Sequence, residues 1–154
     1  MLSLQEISDR LEIQDLLFHY AELIDTRRFA QLRERVFTAD AFIDYSAFGG
    51  SVGDLESTIA FLEGALQPEI FPNFQHLNAN IQIVLDGERA TGRVMCFNPM
   101  ETALPGGGVQ TMLLGLWYLD EYSCTDAGWR ISRRVEQRSW VFNVPEVMAG
   151  TVES

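Results

Sequence analysis

The sequence predicts an α+β fold in which a curved antiparallel sheet wraps around helices from the N-terminal part of the chain. Three observations support this fold class. Helical periodicity is confined to residues 1–66, strand-like segments fill residues 76–142, and Asp86-Gly87 between two of these segments is a strong hairpin signal. Helices that precede a long antiparallel meander are typical of α+β proteins, and such a sheet leaves a pocket at one end.

Two capping-box patterns open the chain, Ser3 with Glu6 and Asp9 with Glu12. They predict a short N-terminal turn and then a main helix from Arg10 to Ile24. Apolar residues fall on two nearly opposite sides of this helix, so we expect both sides to be covered, one of them by a partner chain or by the rim of the sheet. One side carries Ile13, Leu16, Leu17, Tyr20, Leu23 and Ile24, and the other carries Leu4, Ile7, Leu11 and Phe18.

Shorter elements follow the main helix. A second helix is predicted over Phe29 to Phe37, and β-branched and aromatic residues predict a short strand from Ala41 to Ser46. Gly49, Gly50 and Gly53 then mark a turn. Asp54 is the predicted N-cap of a third helix that ends near Leu66.

Four longer strands complete the predicted fold, over residues 76–85, 89–98, 109–123 and 129–142. The turns between the last three contain Pro105 to Gly108 and Asp126 to Gly128. The third of these strands is apolar on both faces, which is typical of a central strand with both faces covered. We therefore expect a homo-oligomer, a dimer or a trimer, in which a second copy covers the outer face of the sheet.

Length and composition limit the range of functions. A chain of 154 residues and 17.4 kDa predicts one domain over residues 1–154 that buries about 70% of its unfolded surface. All 11 basic residues are arginine and oppose 22 acidic ones, for a net charge of -11, so nucleic acid and anionic membranes are disfavoured partners. A small hydrophobic molecule is the expected partner. The sequence shows no membrane span or secretory signal, which favours a cytoplasmic protein.

Several motifs carry little functional weight. Gly49 to Gly53 matches a nucleophile-elbow pattern, but the acid and histidine spacing of a hydrolase is missing, so we interpret it as a glycine turn. The spacing of the two histidines and two cysteines predicts no metal site. In the predicted hairpin, Cys96 pairs with a residue near 112, so a disulfide to Cys124 is not expected, and both cysteines are interpreted as small core residues.

A set of polar residues on separate elements remains, namely Tyr20, Asp25, Tyr45, His76 and Arg138. Histidine takes and returns protons near neutrality, and a carboxylate bonded to one ring nitrogen leaves the other as a base. A tyrosine or an arginine then polarises the substrate oxygen. Because Tyr20 and Asp25 are about 140° apart around a helix, they share a pocket only if the helix unwinds.

Each of these residues also has a structural interpretation. Asp25 is well placed to be the N-cap of the second helix, and His76 to be a hydrogen-bonded residue at the start of an edge strand. Arg138 belongs to a row of arginines that acids such as Glu136 can pair at the rim. The sequence leaves these alternatives open.

Specific stretches resemble the SnoaL-like branch of the nuclear-transport-factor-like superfamily: Glu12 to Asp25, Phe37 to Tyr45, Gln75-His76, Asp86-Gly87, and Gly128 to Arg130. The resemblance covers nearly the whole chain. It implies a cone-shaped α+β barrel with a deep apolar pocket and an Asp–His pair, here Asp25 and His76, that abstracts a proton. Within the superfamily, the chain is most similar to scytalone dehydratase, hexachlorocyclohexane dehydrochlorinase and bile-acid 7α-dehydratase.

The resemblance implies roles for three further residues. Tyr20, with Tyr45, would hydrogen-bond the carbonyl or the departing hydroxyl of the substrate, and Arg138 would stabilise negative charge. The expected activity is that of a lyase of dehydratase type that needs no cofactor and acts on a cyclic polyketide, steroid or aromatic compound. An isomerase, or a non-catalytic module like the small subunits of dioxygenases, is the alternative. The candidate walls of the substrate pocket are Phe97, Trp117, Trp140 and Phe142.

Overall fold

The structure, a computed structural model, describes residues 1–152. Its first element is one continuous helix, α1 (Leu4–Asp25), which the Ser3–Glu6 capping box opens. The predicted turn before Arg10 is therefore wrong. The second capping pattern is not used, because Asp9 instead accepts a hydrogen bond of 3.0 Å from the Trp129 indole N–H.

Only one side of α1 is covered within residues 1–152. Its buried side includes Ile13, Leu17 and Ile24, whereas Leu11 and Phe18 on the other side are exposed, so the rim of the sheet does not cover them and coverage by a partner chain stays a prediction. The second predicted helix is shorter than expected. A 3₁₀ turn (Phe29–Gln31) leads into α2 (Leu32–Arg35).

The next elements connect α2 to the long strands, and the two strands among them join the edge of the same sheet. They are strand β1 (Phe37–Asp44), a 3₁₀ turn (Ser46–Phe48), the short strand β2 (Val52–Gly53) and helix α3 (Leu55–Ala65). The prediction that Asp54 caps α3 is confirmed, because its carboxylate accepts a 2.8 Å hydrogen bond from the Ser57 N–H.

Four long strands follow, and all but β3 extend beyond their predicted limits. They are β3 (Leu77–Asp86), β4 (Arg89–Ala103), β5 (Val109–Thr125) and β6 (Gly128–Phe142), followed by a 3₁₀ turn (Glu146–Met148) and α4 (Ala149–Val152). The spatial order is β2-β1-β6-β5-β4-β3, so the central place predicted for β5 is confirmed.

The α+β class with N-terminal helices against a curved sheet is confirmed, with two corrections. The sheet is mixed, because β1 pairs with β6 in parallel, and it does not close into a barrel. The tight turns between β3, β4, β5 and β6 require antiparallel pairing, whereas the long connection between β1 and β6 allows either direction. None of the helices in residues 1–152 has the length and apolar character needed to cross a membrane.

The two cysteines occupy different environments. Cys96 is buried and pairs with Leu116 rather than with a residue near 112, whereas Cys124 is exposed at the far end of β5. The interpretation as a core residue therefore holds for Cys96 and is wrong for Cys124. Both thiols are free.

A buried ion pair crosses the core between β5 and β6. The Arg134 guanidinium donates two hydrogen bonds to the Asp120 carboxylate, at 2.8 and 2.7 Å, and both side chains have no exposed surface. The guanidinium carbon also lies 4.3 Å from the ring centre of Tyr20 and 3.9 Å from that of Tyr118. The ion pair therefore supports two tyrosine rings.

Exchanging Asp120 for Asn is expected to lower the free energy of unfolding by about 3–5 kcal/mol, because it leaves the buried Arg134 charge uncompensated. Urea unfolding measures this loss. Glu56→Gln, which breaks the exposed ion pair between Arg33 and Glu56, serves as the control and should have a much smaller effect. Equal losses in the two variants would contradict the importance of the buried pair.

Candidate active site

A cavity of about 320 Å³ lies between α1, α3 and the inner face of the sheet. Most of its wall is apolar. Six polar side chains with hydrogen-bonding groups, contributed by separate parts of the fold, also line it: Tyr20, Tyr45, His76, Asn98, Glu136 and Thr151. A mainly apolar pocket with a few polar groups that converge is typical of a small-molecule site.

The centre of this arrangement is His76, whose side chain is 9% exposed. Its Nδ1 lies 2.7 Å from one oxygen of Asp25, and its backbone N–H donates a 3.1 Å hydrogen bond to the other oxygen. Because an ionised carboxylate can only accept, the ring hydrogen belongs on Nδ1, and Nε2 keeps its lone pair. Nε2 is therefore the nitrogen that can act as a base.

Tyr20 and Asp25 both contact His76, although they point in different directions from α1. Unwinding of the helix was the condition predicted for this, but α1 stays helical and ends at Asp25. The His76 ring bridges the angular gap, since it binds Asp25 on one side and meets the Tyr20 ring edge to face at 6.3 Å between centroids. The alternative in which Asp25 caps the second helix is also excluded, because Arg28 occupies the N-cap position before Phe29.

Tyr20 and Tyr45 form a hydrogen-bonded pair, with 2.8 Å between their hydroxyl oxygens. Burial raises the pKa of Tyr20, and it raises the pKa of Tyr45 well above the ordinary value. Both hydroxyls therefore stay protonated, and one hydrogen of the pair remains available for a ligand. Gly50 permits this geometry, because a Cβ there would lie 2.6 Å from the Tyr45 carbonyl oxygen.

Asn98, which the sequence analysis missed, lies opposite His76 across β3 and β4. Its Nδ2 is 3.3 Å from His76 Nε2, and its buried Oδ1 has no hydrogen-bond partner within residues 1–152. A register shift between Ala79 and Gln82 produces this pairing. Without the shift, the register that the hairpin sets would bring Pro99 opposite His76.

Glu136 is the second residue that the sequence analysis did not place in the pocket. It lines the cavity from β6, where it pairs with Tyr118 of β5. Burial raises the pKa of its carboxyl group to about 8, although the Arg134 charge opposes the rise. One signal could have found Glu136, since it shares its strand parity with Arg138, which was predicted to face the pocket.

Arg138 does not line the cavity, contrary to its predicted role. Its guanidinium donates two hydrogen bonds to the Ala47 carbonyl, at 3.2 and 2.7 Å, and lies 5.2 Å from the ring centre of Phe48. It therefore holds the 3₁₀ turn Ser46–Phe48, whose Phe48 forms part of the cavity wall.

The four aromatic residues predicted to line the pocket lie instead on the outer face of the sheet, so that prediction is wrong. They are Phe97, Trp117, Trp140 and Phe142. Strand alternation explains the difference, because their neighbours Cys96, Asn98, Leu116 and Val141 point inward. The Phe97 and Trp140 rings stack at 5.9 Å, and Arg93 covers Trp117 at 3.4 Å. Trp140 and Phe142 are 45% and 63% exposed.

The apolar walls of the cavity come from other residues, in and after α3, on β4 and β5, and in the last described segment. Phe61, Leu62 and Leu66 belong to α3 or follow it, and Met100 and Met112 lie on β4 and β5. The sequence left open whether the segment 145–154 covers the pocket. Met148, Thr151 and Val152 do line the cavity, whereas residues 153 and 154 lie outside the described part of the chain.

Comparison with known proteins identifies the family. A model of the SnoaL-like domain matches residues 5–135. The chain belongs to the SnoaL-like family. Within residues 1–152, this SnoaL-like chain has no group of three or more histidine, cysteine or acidic side chains placed to hold a metal ion. An uncharacterised protein of Mycobacterium tuberculosis is 49% identical to it over 138 residues, which cover 90% of each chain.

Solved structures share the fold of the SnoaL-like chain. A proposed scytalone dehydratase from Novosphingobium aromaticivorans superposes with a TM-score of 0.78 at 20% identity, over 90% of this chain and 89% of that one. A type 2 hexachlorocyclohexane dehydrochlorinase gives 0.76 at 18% identity, over 93% of each chain. A nuclear-transport-factor-like protein from Salmonella enterica gives 0.72 at 15%, over 90% and 96%. Dehydratase-type proteins are thus among its structural neighbours.

The raised pKa of Glu136 predicts how stability depends on pH. The carboxyl titrates near its ordinary value of 4.5 in the unfolded chain and near 8 in the folded one. Between these values the folded state binds more protons, so this group makes the free energy of unfolding fall as pH rises. The slope is at most about 1.4 kcal/mol per pH unit.

Glu136→Gln should remove this contribution, which urea unfolding at several pH values between 4.5 and 8 can measure. Glu121→Gln, which changes an exposed carboxylate on β5, should keep the slope of the unmodified protein. Parallel curves for the two variants would show that Glu136 is not responsible.

Proposed function

We propose that this protein is a cofactor-independent lyase of dehydratase type, which removes water from a hydrophobic cyclic compound. The observation that carries the proposal is the state of His76. Asp25 binds its Nδ1, and its Nε2 accepts a 3.3 Å hydrogen bond from Asn98 Nδ2 at the cavity wall, which the C–H group of a substrate would replace. A base so oriented can remove a proton from a carbon next to a carbonyl group. The dehydratase-type structural neighbours support this reaction class.

His76, Asp25 and the tyrosine pair each have a role in the proposed reaction. His76 Nε2 takes the proton, and the Asp25 carboxylate stabilises the imidazolium that forms. The hydroxyl hydrogen left over in the Tyr20–Tyr45 pair donates to the substrate carbonyl, where negative charge develops. The C–O bond breaks as the double bond forms, and the departing hydroxyl takes up a proton and leaves as water, so the reaction requires no cofactor.

The substrate class follows from the cavity and the charge of the protein. A space of about 320 Å³ with mainly apolar walls suits a hydrophobic cyclic compound. The net charge of -11 disfavours an anionic substrate. A cyclic polyketide, steroid or aromatic compound with a β-hydroxy ketone meets these conditions. We place the reaction in the cytoplasm.

His76→Ala is expected to lower kcat/KM for 3-hydroxy-1-tetralone, which gives 1-naphthol on loss of water, by about 10²–10⁴-fold. Asp25→Asn should lower it by about 10²-fold or more, because the imidazolium loses its carboxylate. Fluorescence and mass measurements of the 1-naphthol formed report the rate.

His19→Ala is the matched control, because His19 lies on the outer side of α1 beside Glu22 and should not affect turnover. Water loss at an unchanged rate in His76→Ala would contradict the mechanism. A product of unchanged mass would replace the dehydratase with the isomerase alternative, and no turnover of any β-hydroxy ketone would favour a binding module.

We also infer a homo-oligomer, formed through the outer face of the sheet, where Phe97, Trp117, Trp140 and Phe142 lie. Apolar area of this kind is stabilised when a second copy covers it. Sedimentation velocity should give the unmodified protein a mass of two or three times 17.4 kDa. The double variant Trp140→Arg, Phe142→Arg should sediment as a monomer, and a monomeric unmodified protein would contradict the inference.

A further inference from the structure

Glu136 lines the cavity with a carboxyl group whose hydrogen-bonding capacity the described part of the chain does not use. Within residues 1–152, no side chain or backbone group forms a hydrogen bond or an ion pair with its carboxyl group. By contrast, Tyr20, Tyr45, His76 and Asn98 each have at least one hydrogen-bonding neighbour. The Glu136 side chain is only partly exposed, and a carboxyl group without a partner in an apolar wall costs free energy, so its retention there indicates that a ligand completes it.

The groups around Glu136 come from all sides of the cavity. The charged or titratable neighbours that act on it, or on which it acts, are Arg134 on its own strand, Asp44 on β1, Tyr20 on α1, Tyr45 after β1, Tyr118 on β5 and Cys96 on β4. Only Arg134 is a cation, and Asp120 already binds it with two hydrogen bonds. Burial therefore prevails, and the neutral acid is the dominant form at neutral pH.

A neutral carboxylic acid carries one O–H donor that a carboxylate lacks. Elimination of water needs such a donor, because hydroxide is a poor leaving group unless it is protonated as it departs. The tyrosine pair is poorly suited to that task. Burial raises the pKa of both hydroxyls, so they donate hydrogen bonds but do not readily release a proton.

We propose that Glu136 is the general acid of the reaction, which protonates the hydroxyl group as it leaves the ring. This assignment rests on the proposed dehydration and adds a specific requirement to it. The substrate must place its β-hydroxyl on the β6 side of the cavity and its α-hydrogen on the side of His76. The cavity thus separates the base from the acid.

The step is balanced with groups of this chain alone. His76 Nε2 takes the α-proton, and the electron pair of that C–H bond forms the new carbon–carbon double bond. The C–O bond breaks, its electron pair stays on oxygen, and the Glu136 proton converts the hydroxyl to water. Imidazolium and carboxylate remain, and proton exchange with solvent restores imidazole and carboxylic acid. No oxidant or reductant is involved.

The role of Glu136 can be tested with three probes that share one ring system. 3-Hydroxy-1-tetralone needs a protonated leaving group, 3-acetoxy-1-tetralone loses acetate without one, and 1-tetralone reports only exchange of its α-hydrogen with deuterated water. Glu136→Gln is isosteric but cannot release a proton at neutral pH. His76→Ala removes the base, and Glu121→Gln is the control for an exposed carboxylate.

Glu136→Gln should lower kcat with the hydroxyl probe by about 10²-fold or more, and should change acetate elimination and α-hydrogen exchange by less than about threefold. His76→Ala should slow all three reactions. In the unmodified protein, kcat with the hydroxyl probe should fall as pH rises through about 8, and this fall should be absent with the acetoxy probe.

Failure of the role proposed for Glu136 can be distinguished from failure of the proposed lyase reaction. Equal losses of Glu136→Gln with all three probes, or no loss with the hydroxyl probe, would overturn the role of Glu136 and leave the role of His76 intact. If the unmodified protein neither exchanges the α-hydrogen nor eliminates either group, the proposed lyase reaction is overturned, and the general acid with it.

Discussion

The arrangement of the cavity depends on one carboxylate at the end of the first helix. Asp25 accepts the His76 ring N–H with one oxygen and the His76 backbone N–H with the other. The first contact sets which ring nitrogen keeps its lone pair, and the second fixes the point at which the chain enters β3. The same two hydrogen bonds therefore join α1 to the sheet and orient the candidate base.

A second polar interaction supports the opposite wall. Asp120 neutralises Arg134 in the core, and the guanidinium then packs against the rings of Tyr20 and Tyr118. Because Tyr20 holds the Tyr45 hydroxyl, this ion pair positions both tyrosines without lining the cavity itself. Ion pairs in the interior are costly to form, so the gain here is positional order rather than stability alone. The chain has 22 acidic residues, and the buried Asp120 is the one that holds Arg134 in place.

Local patterns were sufficient to predict the elements of the fold, and long-range geometry limited the prediction of the site. Turn residues such as Asp86-Gly87 and the N-cap Asp54 identified the hairpin and the third helix, because these signals act within a few residues. Asn98 escaped because its place opposite His76 depends on a register shift near Asn80, which adopts a positive φ of 46°. The aromatic residues on the strands were assigned to the wrong face because the prediction used their aromatic character and not their odd or even position along the strand. Arg138 was assigned from a resemblance, and its contact with Ala47 depends on a turn that no local pattern describes.

Two acidic residues of the site lie in different surroundings. Asp25 lies at the end of α1, accepts two N–H groups from His76 and is 23% exposed, and its hydrogen bonds orient the His76 ring. Glu136 lies against apolar side chains without a hydrogen-bond donor from residues 1–152, conditions that favour a neutral acid with a hydrogen to give. Acid–base pairs with such divided environments are how one protein performs both proton removal and proton donation at a single pH. The chemistry of the site is thus determined less by the residue types than by what each carboxyl group contacts.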